Sequence, residues 1–240
     1  MLPKGKLSYP KLDEVRTVRI KFRKVCNLQY ISHLDLQRTI SRVLVRAGIP
    51  TWYTQGFNPH AKIVFGLPLS VGAESECEYL DLRIDRDMSC DEIKDRLNAV
   101  LTDELCVLDA YVPTTKSAFA DIVWAEYDIR IRTEGLTQEL ADDMQAYLTS
   151  SPLMMDKKSK SGIRQVDITT MIRSLSVTLA DGELRMAAVL CVSGADYLNP
   201  EYLIRALREK FGILPEGDVV SEYTILRTKV YLADGVTEFH

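Results

Sequence analysis

Three groups of residues carry side chains whose types and spacing could act on a ligand. The first is Tyr30, His33, Asp35 and Arg38. The positive end of a helix disfavours an imidazolium, and a neutral imidazole can serve as a base near neutral pH. Beside Tyr30 and Arg38, His33 could activate a 2′-hydroxyl and support a phosphorane, which is metal-independent RNA cleavage. The plainer reading has His33 in a first helical turn, bonding a loop carbonyl. A catalytic base is defined by the geometry of its partners, which spacing does not supply. His33 and Tyr30 are therefore candidates of an alternative reading only.

The second group is Gln55-Gly56-Phe57-Asn58-Pro59-His60-Ala61-Lys62. Gly56 frees the backbone for close approach. Phe57 and His60 offer faces for stacking, and Gln55, Asn58 and Lys62 offer hydrogen-bond donors. Aromatic and basic groups interleaved on a loop suit unstacked bases and phosphates. The same stretch also reads as a structural turn with Phe57 packed down. The third group is Lys157, Lys158, Lys160 and Arg164, four cations spread among Ser and Gly. It is a phosphate-binding candidate, although an ordinary solvated loop has the same composition.

Charge is distributed unevenly. The 240-residue chain has a net charge of −4. From Met1 to Lys62 twelve bases face three acids; from Ile63 to Thr115 four bases face twelve acids. A basic first segment beside an acidic one suggests a polyanion-binding surface, unless the two neutralise each other within one fold. The bases in question are Arg19, Lys21 and Arg23, then Arg38, Arg42 and Arg46, and Lys62.

The elements that must position these groups follow from periodicity. Val15 to Val25 alternates, with Val18, Ile20 and Phe22 on one face and Arg19, Lys21 and Arg23 on the other, which predicts a half-buried strand with a basic outer face. Ser32 to Asp35 reads as a capping box. Leu36, Ile40, Val43 and Leu44 then have helical spacing, and Gly48 and Pro50 end the helix. Arg38, Arg42 and Arg46 recur every four residues as one ridge. Lys62 to Ser70 reads as a strand weakened by Gly66 and Pro68. Glu76 to Ile84 is a strand of undecided facing. Ser89 opens a second helix, and Leu105 to Val112 is a strand.

Residues 113–117 read as a boundary. A second set follows: a strand at Trp124 to Thr133, a helix capped by Thr137, an undecided stretch from Pro152 to Gly162, and a turn capped by Asp167. A hairpin about Asp181-Gly182 comes next, then a helix after Asn199-Pro200, and a last strand from Tyr223. Each half has the order strand, helix, strand, strand, helix, strand. The predicted fold is α+β, two tandem ferredoxin-like units, covering 1–115 and 116–240, the second with an insertion. A single larger sheet is the alternative.

The composition is that of a soluble globular chain, with 46% hydrophobic and 27% charged residues. The longest apolar runs, such as Ala187 to Val192, are far short of a membrane helix. Met1-Leu2-Pro3-Lys4 lacks the apolar core of an export signal. Five widely spaced cysteines, Cys26, Cys77, Cys90, Cys106 and Cys191, form no zinc or cluster spacing. Free thiols in a reducing cytoplasm are expected. There is no phosphate-binding loop, dinucleotide fingerprint or zinc-protease motif. No metal or cofactor is therefore expected.

The motifs Tyr30-Ile31-Ser32-His33-Leu34-Asp35, Arg46-Ala47-Gly48-Ile49-Pro50, Gln55-Gly56-Phe57-Asn58-Pro59-His60, Pro68-Leu69, Val71-Gly72 and Glu78-Tyr79-Leu80-Asp81 closely resemble the radical-SAM-linked domain of unknown function. The resemblance is specific over about Arg16 to Asp85, and looser through Gly162 to Ile168 and the last strands. It implies partnership with a radical SAM enzyme, because members occur beside or fused to such proteins. The chain itself lacks the cluster-binding cysteines. Members encoded near ribosomal-protein and RNase E/G-type genes imply an RNA or translation context. The resemblance carries no activity, so it assigns no catalytic residues.

Three functions follow as expectations. The first is a non-catalytic accessory module that binds RNA, or an RNA-associated substrate, for a radical SAM partner. The second is a protein-interaction subunit docking that enzyme through Glu74 to Asp95. The third is an endoribonuclease using His33, by architectural analogy with enzymes that process CRISPR RNA.

Overall fold

The computed structural model describes residues 9–114, 118–159, 162–215 and 220–240. The chain divides into two compact units, Met1–Phe119 with His240, and Ala120–Phe239. Both are mixed α+β, built on antiparallel strands, with four α-helices among the described residues.

In the first unit the elements are β1 (Lys11–Lys24), α1 (His33–Arg46), β2 (Ile63–Phe65), β3 (Glu74–Arg86), α2 (Cys90–Asn98) and β4 (Leu105–Tyr111). The strands run in the order β4-β1-β3-β2, every pair antiparallel. Val18, Ile20 and Phe22 of β1 and Leu80, Leu82 and Ile84 of β3 are buried in one core with Leu36, Ile40, Val43 and Leu44 of α1. Ile93 and Leu97 of α2 complete it. The helical spacing of those α1 residues places them on one face, and the arginines are left on the other.

Local chemistry sets the ends of α1. Ser32 Oγ accepts from the Asp35 amide at 3.1 Å and donates to Asp35 Oδ2 at 2.7 Å, so Ser32 caps the helix, and the Asp35 carboxylate meets its hydroxyl where a capping box would use its backbone amide. At the other end Gly48 adopts φ +68, a left-handed conformation that suits glycine. The Ile49 amide donates to Leu44 O at 3.0 Å and the Gly48 amide to Val45 O at 3.1 Å. These two bonds close the Schellman motif and turn the chain sharply into the next segment.

Two expectations are corrected in this unit. The strand from Lys62 ends at Phe65 and does not reach Ser70. The Gly66 amide still donates to Tyr79 O, but a Cβ on Gly66 would lie 3.2 Å from that oxygen and from Phe119. The chain then leaves the sheet before Pro68, which has no amide to give. The undecided facing of β3 also has a cause. Cys77 and Tyr79 on one face are as buried as Leu80 and Leu82 on the other, so alternation carried no inside-outside contrast.

The second unit contains β5 (Trp124–Arg132), α3 (Gln138–Leu148), β6 (Met154–Ser159), β7 (Gly162–Asp167), β8 (Ile172–Ala180), β9 (Glu183–Cys191), α4 (Glu201–Phe211) and β10 (Glu222–Tyr231). Four strands run in the order β10-β5-β9-β8. Its core is built from Ile129 and Ile131 of β5, Met186 and Leu190 of β9, Met144 of α3 and Leu203 and Leu207 of α4, all buried. Thr137 caps α3 through the Leu140 amide, and Asn199 Oδ1 accepts from the Glu201 amide. Asp181 and Gly182, both at positive φ, make the β8–β9 turn.

The undecided stretch from Pro152 resolves as the two-stranded ribbon β6–β7, with Met154 paired to Asp167 and Ser159 to Gly162. Asp167 anchors its base. Oδ1 accepts from the Thr169 hydroxyl at 2.7 Å and from the amides of Thr169 and Leu153, each at 3.0 Å. The Thr169 hydroxyl, aided by these amides, holds the carboxyl below its ordinary pKa. Among the described residues no helix is long and apolar enough to cross a membrane. No group of three or more His, Cys, Asp or Glu is placed to hold a metal ion among them.

Candidate nucleic-acid interface

The bases of the first unit separate into two sets. Arg19, Lys21 and Arg23 alternate with Val18, Ile20 and Phe22, so they occupy the face of β1 turned away from α1. The expectation of an open basic strand face does not hold there. Arg19 is only 3% exposed. Its Nε and Nη2 donate to the two carboxylate oxygens of Asp81 at 2.8 and 3.0 Å, in register across the strands, and its guanidinium lies 4.8 Å from the Phe119 ring. The Lys21 ammonium sits 5.7 Å from the Tyr79 ring. Arg23 donates twice to Asp103 O, at 2.8 and 2.5 Å. Arg16 pairs with Asp87 at 3.2 Å. Much of the strand's positive charge is thus engaged within the unit, chiefly by the acidic segment.

Lys24 goes further. It is buried, and its ammonium donates to the carbonyls of Leu28, Gln29 and Ala73 at 3.1, 3.4 and 3.2 Å. A lysine at the end of an alternating basic strand gives no sign in sequence of such a role. By gathering three carbonyls it fixes the short 3-10 turn Cys26–Tyr30 against the segment that leads into β3.

The helix set behaves differently. Arg38, Arg42 and Arg46 are all exposed on the outer face of α1. Arg38 meets Asp35 at 3.2 Å, an exposed pair worth at most about 1 kcal/mol. Arg42 and Arg46 have no carboxylate partner among the described residues. Asp35 is held below the ordinary carboxylate range by the Ser32 hydroxyl first, then by Arg38.

Beyond Pro50 the predicted loop is a short hairpin. Tyr53 bridges Ala61, the Thr54 amide donates to His60 O at 2.9 Å and the Lys62 amide to Trp52 O at 3.1 Å. The hairpin is tied to β3 by Trp52 N to Arg83 O at 2.8 Å and Arg83 N to Lys62 O at 3.2 Å. His60 serves the hairpin itself: its amide donates to Thr54 Oγ1 at 3.2 Å, and Nδ1 lies 3.1 Å from the same oxygen and 3.3 Å from Asn58 O. Gln55, Gly56, Phe57 and Asn58 are exposed at the tip. Phe57 is 101% exposed, so it does not pack down. About 2 kcal/mol of apolar transfer energy is available to any partner that covers it. Lys62, half-buried, marks the base of the hairpin.

The hairpin also walls a groove that sequence reasoning missed. Lys11 pairs with Arg86 but Arg16 pairs with Ile84, so five steps along β1 answer two along β3. The residues between leave the ladder. A groove of about 400 Å³ opens there, lined by Lys11, Asp13, Trp52, Tyr53, Gln55 and Asp85 among others. The adjacent aromatics Trp52-Tyr53, one residue short of Gln55-Gly56, were the available signal.

His33 is placed elsewhere. Its ring meets Phe65 edge-on, centroids 5.4 Å apart, and Nε2 lies 2.9 Å from Gln37 Nε2. Tyr30 is 66% exposed and makes no hydrogen bond to His33. Asp35 is committed to Ser32 and Arg38. The four residues do not form one hydrogen-bonded group. Along β2, Phe65 marks the His33 end, whereas the hairpin lies beyond Ile63 at the other.

In the second unit, Lys157 stands directly across from Arg164 on the β6–β7 ribbon. Like charges in that position are unfavourable without a counter-ion. Arg164 is exposed, and the Lys157 ammonium lies 4.0 Å from Met171 Sδ. Lys158 belongs to β6 by its backbone, and Lys160 lies outside the described residues.

A family model covers residues 17–200 of this sequence, more than half of the chain. The chain belongs to that family, described as an uncharacterized protein conserved in bacteria, DUF2344. Residues 17–200 of this DUF2344 protein include α1, the hairpin and the ribbon. No curated protein matches it. Among solved structures it is similar to a chain of a Cbf5-Nop10-Gar1 complex, at 10% identity and a TM-score of 0.47, covering 89% of this chain and 48% of that one. It spans about half the length of that relative. An unknown protein from Galdieria sulphuraria also matches at 10% identity and a TM-score of 0.26, covering 89% of this chain and 99% of that one.

Proposed function

We propose that this DUF2344 protein is a non-catalytic accessory module that binds RNA and works with a radical SAM enzyme in the cytoplasm. The RNA surface is the outer face of α1 with the hairpin that follows it. The observation that carries this reading is Phe57, fully exposed at the tip of a hairpin held to β3 by backbone hydrogen bonds, next in sequence to a helix whose Arg42 and Arg46 lack carboxylate partners among the described residues. An exposed aromatic and unneutralised cations close to it in sequence suit a base and its phosphates together. The radical SAM partnership rests on the family resemblance alone. The strand orders β4-β1-β3-β2 and β10-β5-β9-β8 support reading each unit as ferredoxin-like, with the ribbon as the insertion of the second.

Phe57→Ala tests the surface. Stacking of one base on an aromatic ring contributes about 1–3 kcal/mol. Affinity for RNA with an unpaired loop is expected to fall roughly 5- to 150-fold in a filter-binding assay, with the melting temperature unchanged because Phe57 buries nothing. Unaltered affinity counts against the hairpin.

A second reading, docking of a protein partner, is favoured by Tyr30, Leu34 and Val71, which are 66%, 53% and 56% exposed. They surround the contact in which the Gly72 amide donates to Gln29 O. Co-purification with the radical SAM protein of the same genome after nuclease treatment, lost on Leu34→Asp, supports docking. Co-purification that disappears with nuclease supports the RNA instead.

A further inference from the structure

The groove between the β1 irregularity and the hairpin has a composition that selects a ligand. We infer that it binds one unstacked purine, preferring guanine; this rests on the RNA reading above and names the base that RNA presents. Trp52 and Tyr53 supply aromatic surface, and Gln55, Asp13, Asp85 and Lys11 supply polar groups. None of these four polar side chains has a hydrogen-bond or ion-pair partner among the described residues. Polar groups that meet only solvent, set around aromatic surface, suit a planar polar ligand.

The volume and the charges decide which ligand. About 400 Å³ lies within the usual range for small-molecule pockets, ~300–1,000 Å³, and accommodates a nucleoside. One lysine or arginine side chain would leave it largely empty. Ionised carboxylates only accept hydrogen bonds. Guanine presents two adjacent donors, N1–H and N2–H, on its Watson–Crick edge, and one carboxylate can take both. Adenine presents a single donor beside an acceptor there, which a carboxylate repels. Lys11 adds a cation for the neighbouring phosphate. The irregularity in β1 fits this role, since such departures from the ladder cluster beside functional sites.

The test uses the full chain and the RNA pentanucleotides UUGUU, UUAUU and UUIUU, where I is inosine, which lacks the 2-amino group. Trp52 fluorescence reports the site, and Trp52→Phe removes the signal while Trp124 remains as the reference. UUGUU is expected to bind at least about tenfold more tightly than UUAUU, the discrimination typical of one well-made base-edge pair, with UUIUU between them. Asp85→Asn or Asp13→Asn should erase the preference for UUGUU over UUAUU. Equal affinity of the wild-type chain for UUGUU and UUAUU overturns the inference, whether or not the aspartate variants fold. The RNA reading survives that result if both oligonucleotides still weaken on Arg42→Glu. Absence of binding to any oligonucleotide overturns both. A Trp52 response to an oligoarginine peptide that exceeds the response to UUGUU also overturns the guanine assignment.

Discussion

Reversing Arg38, Arg42 and Arg46 to glutamate is expected to lower RNA affinity roughly a hundredfold without unfolding the protein. The three guanidiniums stand on the exposed face of α1, and among the described residues only Arg38 meets a carboxylate. Each exposed ionic contact contributes up to about 1 kcal/mol, so three lost contacts reach about 3 kcal/mol before any repulsion is counted. The folded state loses little, because the core face of α1 is Leu36, Ile40, Val43 and Leu44 and is untouched. Filter binding gives the affinity and thermal melting gives the stability. A variant that keeps its affinity removes α1 from the interface. Equal loss with Arg19→Ala, scored on folded protein, would mean that the strand face binds as well.

Arg19→Ala is expected to act oppositely, on stability and not on binding. Arg19 is 3% exposed and makes a two-bond pair with Asp81, whose side chain is 22% exposed. Removing one partner of a buried pair costs about 3–5 kcal/mol, because the remaining charge is left without compensation. Phe119 also loses the guanidinium beside its ring. A fall of that size in urea unfolding is the expected result, and Asp81→Leu in an Arg19→Met background should restore much of it. An Arg19→Ala protein as stable as the parent would show that the pair carries no weight in the fold.

These two outcomes separate residues that sequence reasoning had grouped together. Spacing assigned Arg19 and Arg42 to regular faces of a strand and a helix, and both assignments hold. Alternation tells which residues share a face; it does not tell whether that face meets solvent. Arg19 faces Asp81 across β3, a partner sixty-two positions away that only the register reveals. For α1 the local signals were sufficient: a capping Ser32, a four-residue repeat, and Gly48 where the left-handed turn requires it.

The features missed were those whose local composition reads as loop or as ordinary surface. The hairpin reads as a loop because Gly56 and Asn58-Pro59 punctuate it, yet its backbone is bonded to Arg83 of β3. The ribbon β6–β7 hides among Lys, Ser and Gly residues, since its pairing of Lys157 with Arg164 goes against charge preference. Lys24 is one of the twelve bases of the first segment, and nothing local marks it as a buried donor to three carbonyls. The groove beside Trp52 depends on a slip in the β1–β3 register that no local pattern announces. His33 was correctly placed at the start of α1, and its neighbours there are Gln37 and Phe65.

The most direct measurement of the central claim is the salt dependence of RNA affinity for the wild-type chain and the triple-glutamate variant. Each phosphate neutralised by a single-stranded ligand contributes about −0.7 to the slope of log K against log salt. Four cations, Arg38, Arg42, Arg46 and Lys62, therefore predict a slope of about −3. The variant should retain a slope of magnitude below about 1. A wild-type slope near zero, or a slope that the three substitutions leave unchanged, would contradict the account.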